Sequence, residues 1–240
     1  MSEPNLPVRT PTGRADERVE AWLVRHGETT WNVEGRWQGQ GDAPLTPTGL
    51  EQAARLAARL AGQSFAAAYS SDLPRAAATA AIVTARLAAP TAAILEPRLR
   101  EIHVGRLSGL STAQAEAAGY LVTRLDYDAP YPLGESRANL NCRVDGLLRD
   151  LAARFADTPG GARLLLVTHG GVIRAALALA LGDPRGVGMA GRFGRVQNAS
   201  VTRLALSADG RYRILSFNDT LDAPSATPAP VIAATSEQPD

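Results

Sequence analysis

Only three histidines, His26, His103 and His169, are available for acid–base or nucleophilic chemistry near neutral pH, and all 25 basic residues are arginine. Two of the histidines sit in polar clusters, Arg25-His26-Gly27 and Thr168-His169-Gly170-Gly171. A third cluster, Ser70-Ser71-Asp72, leads to Arg75. Two arginines and two histidines brought together would form a site for a phosphate-like dianion, because each guanidinium fork grips two oxygens at once. The absence of lysine removes the ammonium that P-loop ATPases, protein kinases, pyridoxal enzymes and Schiff-base aldolases need. One cysteine, Cys142, excludes an intrachain disulfide and any multi-cysteine zinc or iron–sulfur centre. His26 and His169 could share a zinc ion, but no HExxH-like or carboxylate-rich spacing accompanies them, so no metal is expected.

The elements that must position these clusters follow from the apolar pattern. The chain has 240 residues, 45% hydrophobic and 20% charged, which is the balance of a soluble globular protein. A net charge of +1 argues against nucleic acid or an anionic membrane as partner. Residues 1–18 and 223–240 read as flexible tails, leaving 19–222 as a single domain. The N-terminus has no signal-like apolar run, and the most apolar segments are too short to span a bilayer, so a cytoplasmic protein is expected.

Ala21–Val24, Ala66–Tyr69, Ala93–Leu95 and Leu164–Val167 read as strands. Thr46 and Pro47 open a helix, with a capping box from Thr48 to Glu51 and Leu50, Ala53, Ala54, Ala57 and Leu60 facing inward. Leu73–Leu87, capped by Ser70-Ser71-Asp72, Ala138–Phe155 and Gly171–Leu181 are further helices, 97–135 is loop-like, and Val201–Leu206 with Arg211–Phe217 forms a terminal hairpin. Strands alternating with helices predict an α/β fold of three layers: a mostly parallel sheet, helices on both faces, and a short cap segment inserted after Glu101. The arginines of helices 50–60 and 138–155 read as solvated faces and Cys142 as a core or boundary residue; Tyr120, Tyr127 and Tyr131 could line a pocket or cover the core. The three polar clusters each fall just beyond a strand, at the rim where open α/β sheets bind ligands beside helix N-termini.

Leu23-Val24-Arg25-His26-Gly27-Glu28-Thr29 resembles the RHG signature of the histidine phosphatases, the superfamily that includes the phosphoglycerate mutases. The resemblance continues through Trp31-Asn32, Gly35-Arg36, Gln38-Gly39, Asp42, Pro44-Leu45-Thr46 and Gly49, then Ser70 to Ala76 with Thr79-Ala80. Glu101 with Gly105, Gly134-Glu135-Ser136, Thr168 to Gly171 and Asn198 to Thr202 complete it, over residues 20–220. It implies an acid phosphatase-like enzyme in which His26 is the nucleophile and becomes a phosphohistidine. Arg25, Arg75 and His169 would bind the equatorial oxygens, with Asn32 as a neutral donor. Glu101 would protonate the leaving alkoxide and then deprotonate water. Gln38, Gly39 and Gly170 would touch substrate or phosphate, and His103 would have no catalytic role. The ligand would be a small phosphorylated metabolite, with no cofactor, and a homodimer is compatible with the sequence.

One departure concerns substrate preference. Many phosphatases of this group carry Trp-Glu-Gly after the glycine that follows the catalytic Glu, whereas this chain reads Gly105-Arg106-Leu107-Ser108-Gly109-Leu110. Leu107 and His103 are closer to the mutase form. Against that, the segment from Glu101 to Gly134 has only Arg106 and Arg124 besides His103, without the paired arginines that mutases use to hold a carboxylate. Gln38-Gly39 after Arg36-Trp37 also matches the phosphatase pattern, so water is the expected acceptor. Mutase-type transfer on the same site is the alternative, followed by a non-catalytic phospholigand-binding protein.

Overall fold

The computed structural model describes residues 18–120, 127–186 and 193–220. Nearly all of the two expected tails, together with Arg124, lies outside the described residues. In chain order the elements are β1 (Val19–Arg25), α1 (Thr30–Val33), α2 (Pro47–Leu60), β2 (Ala67–Ser70), α3 (Pro74–Thr84) and β3 (Ile94–Leu95). There follow 3₁₀ turns at 97–99 and 105–107, α4 (Thr112–Ala117), α5 (Arg137–Arg154), β4 (Ala162–Thr168), α6 (Gly170–Ala180), β5 (Val201–Leu206) and β6 (Tyr212–Asp219).

One six-stranded sheet runs β3-β2-β4-β1-β5-β6. The first four neighbours are parallel, and β5 and β6 add antiparallel strands at one edge. Successive side chains of a strand point to opposite faces, so β1 and β4 divide their apolar residues between two cores. Leu23, Leu164 and Leu166 pack with Val144, Leu147, Leu148 and Leu151 of α5 and Val172, Ile173 and Leu177 of α6. Trp22, Val24, Leu165 and Val167 pack with Leu56, Ala57 and Leu60 of α2 and Ala76, Ala80 and Val83 of α3. Burial on both faces explains why these strands are continuous apolar runs rather than alternating ones.

The parallel register places the chemistry. Arg25 lies opposite Thr168, and Ser70 opposite Val167, so the residues that follow β1, β2 and β4 emerge side by side. Backbone bonds continue the ladder one step further: His26 N donates to Thr168 O at 2.9 Å, and Ser71 N to Val167 O at 2.9 Å. Gly27 lies so close to the backbone of Gly49 that a Cβ there would collide with it, which lets the first turn of α2 seat directly on the loop after β1.

Several local expectations are corrected. Thr46 caps α2 by accepting from Gly49 N at 3.0 Å, and the third helical position is that glycine, so no box joins Thr48 to Glu51. The inward stripe is Gly49, Ala53, Leu56, Ala57 and Leu60, and Leu50 is 47% exposed; with 3.6 residues per turn, one position rotates a side chain by about 100°. α3 ends at Thr84 and has no side-chain cap from its own N-cap residue, Leu73; Ser71 Oγ instead accepts from Leu73 N at 3.3 Å. Asp72 is taken by Arg100, whose Nε donates at 2.7 Å. Cys142 is exposed, because Leu140, Asn141 and Val144 form the buried side of α5 around it.

The stretch read as loop contains α4, which a reciprocal capping box between Ser111 and Gln114 starts. This cap segment has its own small core of Val104, Leu107, Ala115 and Tyr131, with Trp37 and Tyr120 packed against it. Tyr120 and Tyr131 therefore cover that core, Tyr131 also lining the cleft beside it, whereas the Tyr127 hydroxyl accepts from Asn141 Nδ2 at 3.2 Å. Among the described residues no helix is long and apolar enough to cross a membrane.

Leu165→Ala, in the central strand and fully buried, should cost about 2–5 kcal/mol. Leu50→Ala should stay within about 0.5 kcal/mol of wild type. Urea unfolding followed by circular dichroism reads both.

Candidate active site

Arg25, His26, Arg75 and Glu101 line one cleft of about 770 Å³ at this rim, together with Asn32, Gln38 and Gly39. His169 lies one layer behind, fully buried, its ring centroid 5.1 Å from that of His26. Gly170 opens α6, with room for a Cβ 3.7 Å from Arg25 Nε. His103 is exposed and outside the cleft.

His26 Nδ1 lies 2.7 Å from Gly27 O. A carbonyl only accepts, so the proton sits on Nδ1 and Nε2 keeps the lone pair of the neutral ring. The ring stays neutral at pH 7 because burial, then the charges of Arg75 and Arg25, hold its pKa well below the usual value. Burial, then Arg75, lowers His169 in the same way. His169 Nε2 is 2.8 Å from Ser71 Oγ. With that hydroxyl donating to Nε2, the ring proton lies on Nδ1, which is buried without a partner.

Both arginines are buried too, Arg75 2% and Arg25 8% exposed. Arg75 Nη1 and Nη2 donate to Gly41 O at 2.7 Å and Gly39 O at 2.6 Å, and Arg25 Nη1 donates to Val196 O at 2.6 Å. Gly39 adopts φ +51°, the left-handed conformation that turns the loop around Arg75. Burial pulls Arg25 down to about 10 and lowers Arg75, but both remain cations at neutral pH. In each, Nε has no acceptor. Arg25 Nε, Arg75 Nε and, in that tautomer, His169 Nδ1 are thus three buried donors with nothing to bind. A lone buried donor costs about 1–3 kcal/mol, so three beside one imidazole make a ready receptor for an anion.

Glu101 is held at both ends. Its Oε2 accepts from Gly171 N at 2.9 Å and its Oε1 from Ile102 N at 2.8 Å. Its own carbonyl accepts from Arg143 Nη2 and Gln40 Nε2, each at 3.1 Å. The neighbouring Arg100 is engaged by Asp72, so it leaves the Glu101 carboxylate to the cleft. Arg143 is not part of a solvated face as the helix pattern suggested: its guanidinium grips Glu135 at 2.7 and 2.9 Å and Arg98 O at 2.8 Å.

The Asn32 amide oxygen accepts from Thr29 N at 3.2 Å and Asn198 Nδ2 at 3.1 Å, which leaves its amino end for a ligand. Gln38 Nε2 donates to Thr29 Oγ1 at 2.8 Å, and its buried Oε1 has no partner, which suits a substrate hydroxyl.

Residues 21–220 match the family model for the histidine phosphatase superfamily, branch 1. The chain belongs to the histidine phosphatase superfamily. It is 37% identical over 191 residues to a probable phosphoglycerate mutase of Cronobacter sakazakii, covering 78% of this chain and 84% of that one. It is 38% identical over 210 residues to a metal-independent phosphoserine phosphatase of Arabidopsis thaliana, covering 85% and 82%. Among solved structures, a mycobacterial glucosyl-3-phosphoglycerate phosphatase determined with VO3 superposes with a TM-score of 0.73 at 32% identity, covering 83% of this chain and 98% of that one.

In this member of the superfamily the sequence alone did not reveal the residues that orient the others. Asn198 donates to both His26 O, at 3.0 Å, and Asn32, from 172 and 166 positions away. Its place in the stretch similar to the family was the only signal. Arg143 and Gln40 left none, since single polar residues on a helix or loop do not declare their partners.

The two neutral imidazoles set the acid stability. A histidine whose folded pKa is depressed contributes stability that is full above the unfolded value, about 6.5, and lost as pH falls below it, because only the unfolded chain takes up the proton. The slope approaches about 1.4 kcal/mol per pH unit for each such ring. Urea titrations from pH 7.5 to 5 in phosphate-free buffer should show it, and His26→Gln should remove about half of the slope.

Proposed function

We propose that this chain is a phosphomonoesterase that hydrolyses a small phosphorylated metabolite through a phosphohistidine on His26, with Glu101 as general acid and base. The observation that carries the reading is the trio of unpartnered buried donors beside an imidazole whose Nε2 lone pair is free. In the first step Nε2 attacks phosphorus and the ester P–O bond breaks. Protonated Glu101 gives its proton to the departing oxygen. Arg25, Arg75 and His169 hold the non-bridging oxygens while charge spreads over them. In the second step Glu101 takes a proton from water, whose oxygen attacks phosphorus. The P–N bond breaks, its electron pair returns to Nε2, and orthophosphate leaves. Glu101 ends protonated, ready for another turnover.

Water as acceptor is supported by the cap. Among the described residues, the cap places Ile102, Val104, Thr112 and Tyr131 on the cleft and no arginine. A mutase would have to retain a bisphosphorylated intermediate there. The relatives' names include a mutase and two phosphatases, so the acceptor must be measured.

Incubation with a ³²P-labelled phosphomonoester followed by quenching should yield an acid-labile, base-stable label on His26, with orthophosphate as product in the presence of EDTA. Full activity in His26→Ala would end the reading. Transfer of the label to an added phosphoglycerate would replace hydrolysis by mutase chemistry.

Gly171 allows a more selective test, since a Cβ there would run into the Glu101 carboxylate, the end of a side chain that can swing away. Gly171→Ala should therefore slow alkyl phosphates about 10²-fold, the lower end of what general acid catalysis supplies, and aryl phosphates much less. Equal losses for both would argue against Glu101 as the acid.

A further inference from the structure

Glu101 follows a single 3₁₀ turn, with no strand or helix ladder of its own, and side chains catch the carbonyls around it. Leu99 O accepts from Thr168 Oγ1, at the end of β4, at 2.7 Å. Arg98 O and Glu101 O both accept from one guanidinium, that of Arg143 in the second turn of α5, at 2.8 and 3.1 Å. Gln40 Nε2 adds a second bond to Glu101 O at 3.1 Å. The carboxylate end of Glu101 is bound to Gly171 N of α6, so the residue is slung between two helices. The rest of the Arg143 fork closes on Glu135, Nε and Nη2 donating at 2.7 and 2.9 Å.

Glu135 belongs to the neck of the cap. Its Oε2 accepts from His103 N at 3.2 Å, and its own N donates to His103 O at 2.7 Å. Arg106 N donates to Pro132 O at 2.9 Å, so backbone bonds join the segments that enter and leave the cap. Gly134 passes so close to His103 O that a Cβ there would collide with it. One planar fork thus holds the turn before Glu101, the Glu101 backbone and the neck of the cap. Arg143 does not line the cleft, and the Glu135 carboxylate meets its charge. Its influence on the reacting atoms must therefore pass through Glu101.

We propose that Arg143 is the positioning residue for Glu101. It fixes the carbonyl end of Glu101 while Gly171 fixes the carboxylate end, and so sets the distance from the acid to the leaving oxygen. Through Glu135 it ties that distance to the seating of the cap. A proton donor displaced by about 1 Å loses on the order of 10²-fold in rate. This role rests on the phosphomonoesterase reading, in which Glu101 is the acid.

A double-mutant cycle read with two substrates tests it. kcat/KM covers the steps up to departure of the first product, where the alkoxide of glycerol 3-phosphate needs a proton and the phenolate of p-nitrophenyl phosphate does not. In Arg143→Ala the loss for glycerol 3-phosphate should exceed that for p-nitrophenyl phosphate by about 10- to 100-fold. Arg143→Lys should keep that preference, because an ammonium lacks the planar fork. In a Glu101→Ala background, Arg143→Ala should add no more than about threefold to the loss for glycerol 3-phosphate, since the group it positions is gone. Glu135→Gln, which leaves the carbonyl bonds in place, should show the same preference at about threefold to tenfold. Equal losses for both substrates in Arg143→Ala, or a loss that multiplies with that of Glu101→Ala, overturn the positioning role and leave Arg143 a packing residue. Equal losses in Glu135→Gln overturn the tie to the cap. If circular dichroism shows Arg143→Ala unfolded, Arg143→Lys is judged by the same ratios. Glu101→Ala alone separates the two failures. Where it is selective and Arg143→Ala is not, positioning fails and the acid stands; where it is unselective, the acid reading fails and the positioning role with it.

Discussion

Two guanidiniums and two imidazoles are held out of water together at the end of a parallel sheet, where each loses its hydration and the cations oppose one another. The structure answers that cost in two ways. The arginine forks lie on the carbonyls of Gly39, Gly41 and Val196, and the Glu101 carboxylate supports both cations through the field. The imidazoles answer by staying neutral. What remains unmet, three N–H groups pointing at no acceptor, is the part of the cost that a bound oxyanion would remove. A ligand that satisfies them adds to folding stability by mass action, so stability and affinity draw on the same groups.

Holding such a cluster open requires a rigid surround. Largely buried strands on both sides of β4 set the spacing of the three loops, and the Gly27–Gly49 approach seats α2 against the loop that carries His26. Glu101 comes from a stretch with little regular structure, and it is correspondingly tied down: its carboxylate to two backbone amides, its carbonyl to Arg143 and Gln40. Arg143 in turn grips Glu135, which also accepts from His103 N at 3.2 Å. Glu101 and the start of the cap thus share one anchor on α5.

The near-zero net charge conceals this arrangement. With a formal charge of +1, the chain has no broad electrostatic footprint, yet its cleft collects arginines from β1, α3, α5, α6 and the connecting loops. Charge balance over a whole chain speaks to long-range partners; local concentration in a cleft speaks to the ligand.

Much of this was legible in the residues themselves. The apolar runs of β1 and β4, the hairpin of β5 and β6, and the polar clusters just after strand ends predict an α/β sheet and name Arg25, His26, Arg75 and His169, whereas Glu101 was named only by the resemblance to the histidine phosphatases. Those signals are local: an apolar run, a turn or a cap records what a short segment must bury or expose. Where the local signal is thin, the reading slips, as when Leu50 replaced Gly49 at the head of the inward stripe, or when Arg143 and Cys142 traded the inner and outer sides of α5. Tertiary structure alone decided which nitrogen of His26 is free, which donors are left without acceptors, and that Glu101 stands in the field of both Arg25 and Arg75. Those outcomes depend on side chains 70 to 172 positions apart meeting across a packed sheet. No short stretch of chain contains both partners of such a meeting, because burial is collective and pairing is settled only when the layers close.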